Sequence, residues 1–471
     1  MGQRESFPTV KPILPKDDSS LAIIRDPNKC ILCGRCVEVC AEMQGVFAID
    51  FIGRGLRSIV GTYMDKGLGN TICTACGQCA LVCPTAAIVE RDATDDVFRE
   101  IYDGNKIVIV QTALAIRVGI GEAMGMEEGA LVTGQMVAAL RRLGFDKVFD
   151  TQFAADLTIM EEGHELISRL TAGGKLPMIT SCSPGWINFI ENFFPNSLEH
   201  LSTCKSPQQM FGAVAKSYYA KKINIDPRKL TVVSIMPCTA KKFECKREEM
   251  KSAYHYCKEE FSPNFDESFY DVDYVLTTRE LAKMFKRKGI EFDRLPSEEF
   301  DEPLGISTGA GVIFGATGGV MEAALRTAYE VVTGTPLPQI ELVEVRGFDG
   351  IREAELNLNG TKIKVAVAHT LKNARILLEQ IERGESPYTF IEVMTCPGGC
   401  LGGGGQAIPT TWEIRQKRAD SIYKEDRLHK IRKSHDNPAI KTIYKEFLKE
   451  PLGKVSHQLL HTTYCGKRGL L

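Results

Sequence analysis

Eight cysteines within residues 30–83 fall in two runs of identical spacing, Cys30-Ile-Leu-Cys33-Gly-Arg-Cys36-Val-Glu-Val-Cys40 and Cys73-Thr-Ala-Cys76-Gly-Gln-Cys79-Ala-Leu-Val-Cys83-Pro84. Nothing else in the sequence constrains the fold as tightly. Each run reads C-x2-C-x2-C-x3-C, in which three closely spaced thiolates wrap one corner of a [4Fe–4S] cube. The fourth thiolate, carried onto a short helix, reaches the other cube. This crossover assigns Cys30, Cys33, Cys36 and Cys83 to one cluster and Cys73, Cys76, Cys79 and Cys40 to the second. Gly34, Gly77 and Ala75 let the backbone pass close to sulfide and donate N–H bonds to it. The rival reading, a pair of zinc sites, usually shows two C-x2-C pairs separated by a longer loop.

Sixteen cysteines in 471 residues are too few for a disulfide scaffold and too regularly placed for ordinary core thiols. The N-terminal residues 1–20 contain neither a long apolar core nor a twin arginine, so the sequence predicts a reducing cytoplasm, where cysteines persist as thiols or ligands. Met1-Gly2 with Ser6 matches a myristoylation pattern, which is read as chance. With 58 Lys+Arg against 60 Asp+Glu the net charge is -2, which recommends neither nucleic acid nor an acidic membrane as partner. No stretch reaches the ~18 uninterrupted apolar residues of a spanning helix.

From about Lys106 apolar runs of strand length alternate with longer helical patterns. The runs are 107–111, 177–181, 231–236, 274–277, 363–368 and 390–394, and helical stretches include 131–143 and 279–288. Such alternation predicts parallel βαβ units in an α/β body. The expected order is an extension over 1–24, a small α+β cluster domain over 25–97, the α/β body over 105–410, and a wrapping segment over 411–471 with helices near 414–423 and 439–448.

Three further cysteine sites end strands of that body: Cys182 before Ser183-Pro184-Gly185-Trp186, Cys238 after Met236-Pro237, and Cys396 after Met394-Thr395, with Cys400 close behind. Ligands of open α/β sheets bind beyond the carboxyl ends of the strands, so these ends are expected to converge on one buried site. Soft thiolates there suit iron–sulfur or zinc. Gly402-Gly-Gly-Gly405 removes side chains, as a backbone packed against an inorganic cluster requires, and it lacks the arrangement of a phosphate loop. Cys245, Cys257 and Cys465 read as plain buried thiols; Cys204 stays open.

These residues carry a resemblance. Thr180-Ser-Cys182-Ser183-Pro-Gly-Trp186, Met236-Pro-Cys238-Thr-Ala-Lys241-Lys-Phe-Glu244 and Glu392-Val-Met394-Thr-Cys396-Pro-Gly-Gly-Cys400 resemble the three signature segments of monomeric [FeFe]-hydrogenases. With the paired ferredoxin motifs the likeness runs from about residue 25 to 464, and the chain after Trp412 is similar to the family's small-subunit portion. The resemblance implies a two-lobed catalytic domain with parallel and mixed sheets behind a bacterial-ferredoxin-like domain. It also implies an H-cluster, a [4Fe–4S] cube joined by one cysteine to a two-iron unit bearing CO, cyanide and an azadithiolate. Cys238, Cys396 and Cys400 would then be cube ligands, with Cys400 as the bridge. Lys241 would hydrogen-bond a cyanide, a suitable use of a compact cation, and Met236, Met394, Gln208 and Phe314 would line the pocket. The family's proton route falls on Cys182, Glu162, Ser202, Glu165 and Arg169. Glu162, Glu165 and Arg169 share one helical face by spacing alone.

One position departs from the family. Where tandem cysteines supply the proton donor and then a cube ligand, this chain has Cys182-Ser183. Three outcomes follow: Ser183 ligates iron, Cys182 turns inward as a metal ligand, or Cys204 substitutes. Ala113-Leu114-Ala115 stands for a usual Ala-Pro-Ser, Ala240 for a frequent Ser, and Thr395 for a frequent Ala. The sequence thus predicts an enzyme interconverting H2 with protons and electrons, wired through two clusters to ferredoxin or flavodoxin, loaded by maturation proteins and shifted in bias, in one form toward uptake. A low-turnover H2 sensor and an iron–sulfur carrier or assembly protein are the alternatives.

Overall fold

The two cysteine runs fold alike. Leu32 (φ 58°) and Gly34 (φ 77°) are left-handed ahead of the helix Arg35–Glu38, as Ala75 (φ 58°) and Gly77 (φ 72°) are ahead of Gln78–Leu81. This reversal brings the Leu32 N–H to Cys30 Sγ and the Ala75 N–H to Cys73 Sγ, both at 3.4 Å. A side chain in that conformation costs roughly 1–2 kcal/mol, which glycine at 34 and 77 avoids. Two antiparallel pairs, β1 (Ile23–Arg25) with β4 (Ile88–Glu90) and β2 (Asp50–Ile52) with β3 (Ile59–Gly61), complete this α+β lobe. The computed structural model describes residues 13–261, 267–358 and 360–467, so the Met1-Gly2-Ser6 pattern lies outside the described residues.

The body is α/β, as expected, and has two sheets. One is wholly parallel in the order β6-β5-β8-β9, from β5 (Ile107–Thr112), β6 (Lys147–Asp150), β8 (Leu230–Ile235) and β9 (Tyr274–Leu276). The other, β10-β11-β12-β7, joins β7 (Met178–Ile179), β11 (Thr361–His369) and β12 (Phe390–Met394) in parallel, with β10 (Ile351–Leu358) antiparallel at the edge. β8 and β12 are buried throughout, which suits central strands covered on both faces.

The structure adds β6 and β10 to the strands read from sequence and shortens the run at 177–181 to two residues. From Glu353 onward β10 alternates polar and apolar, Glu-Ala-Glu-Leu-Asn-Leu, as a strand with one wet face does. Pro177 has no N–H to offer a ladder.

The helix Thr151–Ala172, capped by Asp150, which accepts from the Gln152 N–H, runs 22 residues and buries Glu161, Glu162 and Glu165 against the helices Pro207–Val214 and Gly319–Thr333. The C-terminal segment is built into the core rather than solvated. From its helix Trp412–Leu428, Arg418 pairs with Glu122 and Asp426 with Arg326, both buried, and Ser434 and Asn437 donate to Asp156. Among the described residues no helix is long and apolar enough to cross a membrane.

Candidate metal centres and active site

Two cavities divide the eight N-terminal cysteines as the crossover requires. Cys30, Cys33, Cys36 and Cys83 surround one of about 420 Å³, and Cys40, Cys73, Cys76 and Cys79 another of about 360 Å³. Burial, then the neighbouring thiolates, push Cys36 up to about 11; burial pushes Cys76 up to about 12. Four such sulfurs cannot all carry charge in one apolar cavity unless cations share it. All sixteen cysteines are free thiols. Cys33 is exposed, so the first cavity faces outward.

The second cavity abuts the body. Thr239, beside Cys238, donates from Oγ1 to the Ala75 carbonyl at 2.7 Å, and Gln78 Nε2 donates to the Gly402 carbonyl at 2.9 Å. A Cβ on Gly404 would lie 2.2 Å from the Cys76 carbonyl oxygen, one on Gly403 2.1 Å from that of Pro237, and one on Gly402 2.1 Å from that of Pro397. The glycine run therefore lets the three ligand-bearing loops pack backbone on backbone, a more specific reason than clearance around a cluster.

The three strand-end sites do converge. A cavity of about 700 Å³ beyond β5, β7, β8 and β12 is lined by Cys182, Ser183, Gln208, Met236, Cys238, Lys241, Phe314, Met394, Cys396 and Cys400, together with Thr151 and Thr395. The thiols of Cys238, Cys396 and Cys400 lie near one another, and Cys396 also feels Cys76 of the second N-terminal cavity. Lys241 Nζ donates to Glu244 Oε2 at 2.9 Å and to the Cys182 carbonyl at 3.1 Å. Gln208 Nε2 donates to Glu244 Oε2 at 3.1 Å, while its buried Oε1 has no partner. Three soft donors, two thioethers, a buried cation and an unpartnered amide oxygen make a donor set that fits a thiolate-held iron cluster with a second, ligand-rich unit.

Of the three residues considered for the remaining corner, Cys204 is not part of this cavity. It is buried behind it, with Sγ 3.8 Å from Glu165 Oε2. Cys182 has Glu162 as its foremost charged neighbour, then Lys241, Glu392 and Cys400. Ser183 Oγ lies 2.8 Å from Thr395 Oγ1 and accepts from the Thr395 N–H at 3.3 Å, one residue from Cys396. Sequence reasoning recognised positions 183 and 395 as separate departures; their contact spans 212 residues and is visible only in the fold.

Behind Cys182 the carboxylates form a file. Glu162 is buried with Oε2 unpartnered, and burial, then the Glu165 charge, pushes its carboxyl up to about 8, against the Ser202 hydroxyl. Ser202 Oγ donates to Glu165 Oε2 at 2.8 Å, and Arg169 Nη2 donates to Glu165 Oε1 at 2.6 Å. The structure thus brings together Cys182, Glu162, Ser202, Glu165 and Arg169. Sequence reasoning missed Glu161 and His461, whose Nε2 lies 3.0 Å from Glu161 Oε2, because nothing local links positions 161 and 461. Cys245 and Cys257 are buried as expected, whereas Cys465 is exposed: it follows the last helix, Lys454–Leu460, outside any packed face.

Comparison with known proteins agrees along the chain. Residues 106–404 match the C-terminal domain of the iron-only hydrogenase large subunit, 412–467 the iron hydrogenase small subunit, and 29–87 a 4Fe-4S dicluster domain. The chain is 50% identical over 462 residues to the NADP-reducing hydrogenase subunit HndD of Solidesulfovibrio fructosivorans, covering 97% of this chain and 76% of that protein. It is 42% identical over 465 residues to iron hydrogenase 1 of Clostridium pasteurianum, 96% and 79% of the two lengths. A solved apo variant of the [FeFe]-hydrogenase HydA1 from Chlamydomonas reinhardtii aligns at 43% identity with TM-score 0.69, over 80% of this chain and 99% of that one. Two [4Fe–4S] clusters and an H-cluster are the cofactors of this architecture, and the chain belongs to the [FeFe]-hydrogenase family.

Proposed function

We propose that this chain turns over H2 as a catalyst, with electrons leaving through its two N-terminal clusters. The observation that carries the reading is the buried file of proton-holding groups behind the cysteine-lined cavity, which an iron–sulfur carrier would not need. Cys238, Cys396 and Cys400 would hold the cube, and Ser183, steadied by Thr395, would offer it an oxygen ligand. When bound, the two-iron unit supplies the centre at which H2 is cleaved heterolytically. The chain's own residues then handle the proton. Cys182 exchanges it at the cavity wall, Glu162 stores it, and Ser202 passes it to Glu165, which Arg169 orients. Lys241, fixed by Glu244, presents a cation to an anionic ligand, Met236, Met394 and Phe314 keep water out, and Gln208 donates to the same Glu244. An oxygen at the fourth corner is harder than sulfur and lowers the cube's potential. A lower cube potential by itself favours evolution, so the bias to uptake that we read here rests on Ala115 and Ala240, which stand in place of hydroxyls around the two-iron unit.

The electron partner docks on the ferredoxin-like lobe. That lobe exposes Cys33, Ile31, Phe51, Leu56, Tyr63 and Met64, and also Arg35, Arg54 and Arg57. Apolar contacts rimmed by arginine suit an acidic carrier of the ferredoxin or flavodoxin class. The likeness to an NADP-reducing hydrogenase subunit favours a second reading, in which a partner subunit occupies this face. Cysteine ligands kept as thiols suit a reducing cytoplasm, where maturation proteins would load the two-iron unit. The test is H2 oxidation by the matured chain alone, with viologen, ferredoxin and NADP as acceptors. Fast reduction of viologen and ferredoxin is expected. Viologen reduction without ferredoxin reduction refutes the carrier, and the absence of both refutes the catalyst in favour of a sensor.

A further inference from the structure

Reading Glu162, Ser202 and Glu165 as a proton route leaves its outer end open, and any role for the groups beyond Glu165 rests on that reading. Arg169 closes one side of Glu165. Its Nε and Nη2 donate to Oε1 at 3.1 and 2.6 Å, Nη2 also to the Leu201 carbonyl at 2.6 Å, and Nη1 to those of Lys175 and His200 at 3.2 and 3.3 Å. A guanidinium keeps its protons at any accessible pH, so Arg169 orients Glu165 without passing a proton.

The other side of Glu165 holds groups whose protons can be exchanged. A ring nitrogen of His461, Cys204 Sγ and a Glu165 oxygen lie within 4.8 Å of one another, all three residues buried. His461 is fixed by Thr203 Oγ1 at its Nδ1 (2.8 Å) and Glu161 Oε2 at its Nε2 (3.0 Å). The Lys205 N–H to Leu460 carbonyl and Thr462 N–H to Thr203 carbonyl bonds, both 2.8 Å, pin the segment that carries it. One helical turn earlier His457 is exposed, its ring centroid 4.3 Å from that of His461. From Glu165 outward there is thus a thiol, a buried imidazole and a solvent-facing imidazole.

We propose that protons reach and leave Glu165 through His461 and His457, so that the C-terminal segment supplies the outer half of the proton route. Inward, the His457 imidazole takes a proton from a buffer acid and His461 receives it. His461 then gives it to the Glu165 carboxylate, either directly or with Cys204 accepting on sulfur while its S–H proton moves to Oε2. One proton arrives and one leaves at every hop, the thiol and both imidazoles end as they began, and no electron moves; outward transfer is the reverse. Imidazole is the side chain best suited to exchanging protons with a buffer near neutral pH. The titratable groups facing the pair are Glu161, Glu165 and Cys204 on the buried side. Tyr444, which donates to Glu161, comes from the segment Tyr444–Leu448, and Glu259, bound by Gln458, from the helix Ser252–Phe261. The adjoining helix Pro207–Val214 brings none. Burial and then His461 hold the His457 imidazole below its ordinary value, with Glu161 and Glu165 pulling it back up.

The test uses the matured full chain evolving H2 from reduced viologen between about pH 6 and about pH 9, as wild type, His457→Gln, the double variant His457→Gln/His461→Gln, and Glu165→Gln. The double variant is expected to lose about tenfold in rate, to lose the imidazole inflection in its pH profile, and to regain rate with added imidazole. Exposed His457→Gln, which threatens no packing, shows the same changes in smaller degree. A wild-type rate and profile in the double variant, or a loss that imidazole does not relieve, overturns the histidine exit. If Glu165→Gln itself keeps the full rate, the underlying proton route has failed instead. A readout free of turnover is the S–H stretching band of Cys204, identified by its absence in Cys204→Ser, in protein lacking the two-iron unit. Its exchange to S–D slows in the double variant if the histidines conduct, and unchanged exchange overturns the proposal.

Discussion

Glu162→Gln is the perturbation the site geometry makes most informative. Glutamine keeps the volume and the Ser202 contact of a residue that is buried with one carboxyl oxygen unpartnered, and it carries no transferable proton. With its value raised to about 8, Glu162 is mostly the neutral acid at neutral pH and can both give and take a proton. Losing a positioned acid–base group typically costs ~100-fold or more, so H2 evolution should fall by at least that factor while dithionite still reduces the clusters. Stability supplies a second magnitude. The folded value lies above the ordinary 4.5, so between 4.5 and about 8 the folded state holds a proton that the unfolded chain has released. Stability is therefore lost as pH rises through that window, by ~1.4 kcal/mol per pH unit and up to ~5 kcal/mol in all. Glu162→Gln removes this slope and should gain on wild type as pH rises. The assays are viologen-linked H2 evolution and anaerobic unfolding across the window. A variant within about twofold of wild-type turnover, or a stability difference that stays flat with pH, refutes the reasoning.

Further outcomes are expected from other parts of the molecule. Ser183→Cys should raise the catalytic cube's potential by on the order of 100 mV in protein without the two-iron unit, read by a paramagnetic-resonance redox titration. An unchanged potential would remove Ser183 from the cube. Gly404→Ala pushes a methyl group 2.2 Å from the Cys76 carbonyl oxygen; it should cost ~1–3 kcal/mol in unfolding measurements and slow H2-driven reduction of the outermost cluster in stopped flow. Arg54→Glu with Arg57→Glu should raise the KM for ferredoxin about fivefold or more and leave viologen kinetics unchanged.

The parts of this fold that were legible in sequence are those where one short segment carries its own chemistry. Each N-terminal cysteine run states its spacing, its left-handed turn and its glycine within a dozen residues, and both cavities form as that spacing implies. The strands leading to Cys182, Cys238 and Cys396 were legible because buried parallel strands read as unbroken apolar runs. β10 was not, since an edge strand with a wet face resembles a polar loop. Contacts between distant segments were also out of reach. Ser183 with Thr395, and Glu165 with Cys204 and His461, are meetings of strand ends, a helix and the C-terminal segment that no local pattern announces. The same limit left Cys204 open as a cube ligand until the fold placed it beside Glu165.

Infrared spectroscopy of the matured protein under H2 tests the central claim most directly. Bands from CO and cyanide are expected, held by the site of Cys238, Cys396 and Cys400, shifting reversibly between H2 and an inert atmosphere and vanishing in Cys400→Ser. Iron sufficient for three cubes with no diatomic-ligand bands would show a carrier of iron–sulfur clusters instead, and would contradict the reading of this chain as a hydrogen-converting enzyme.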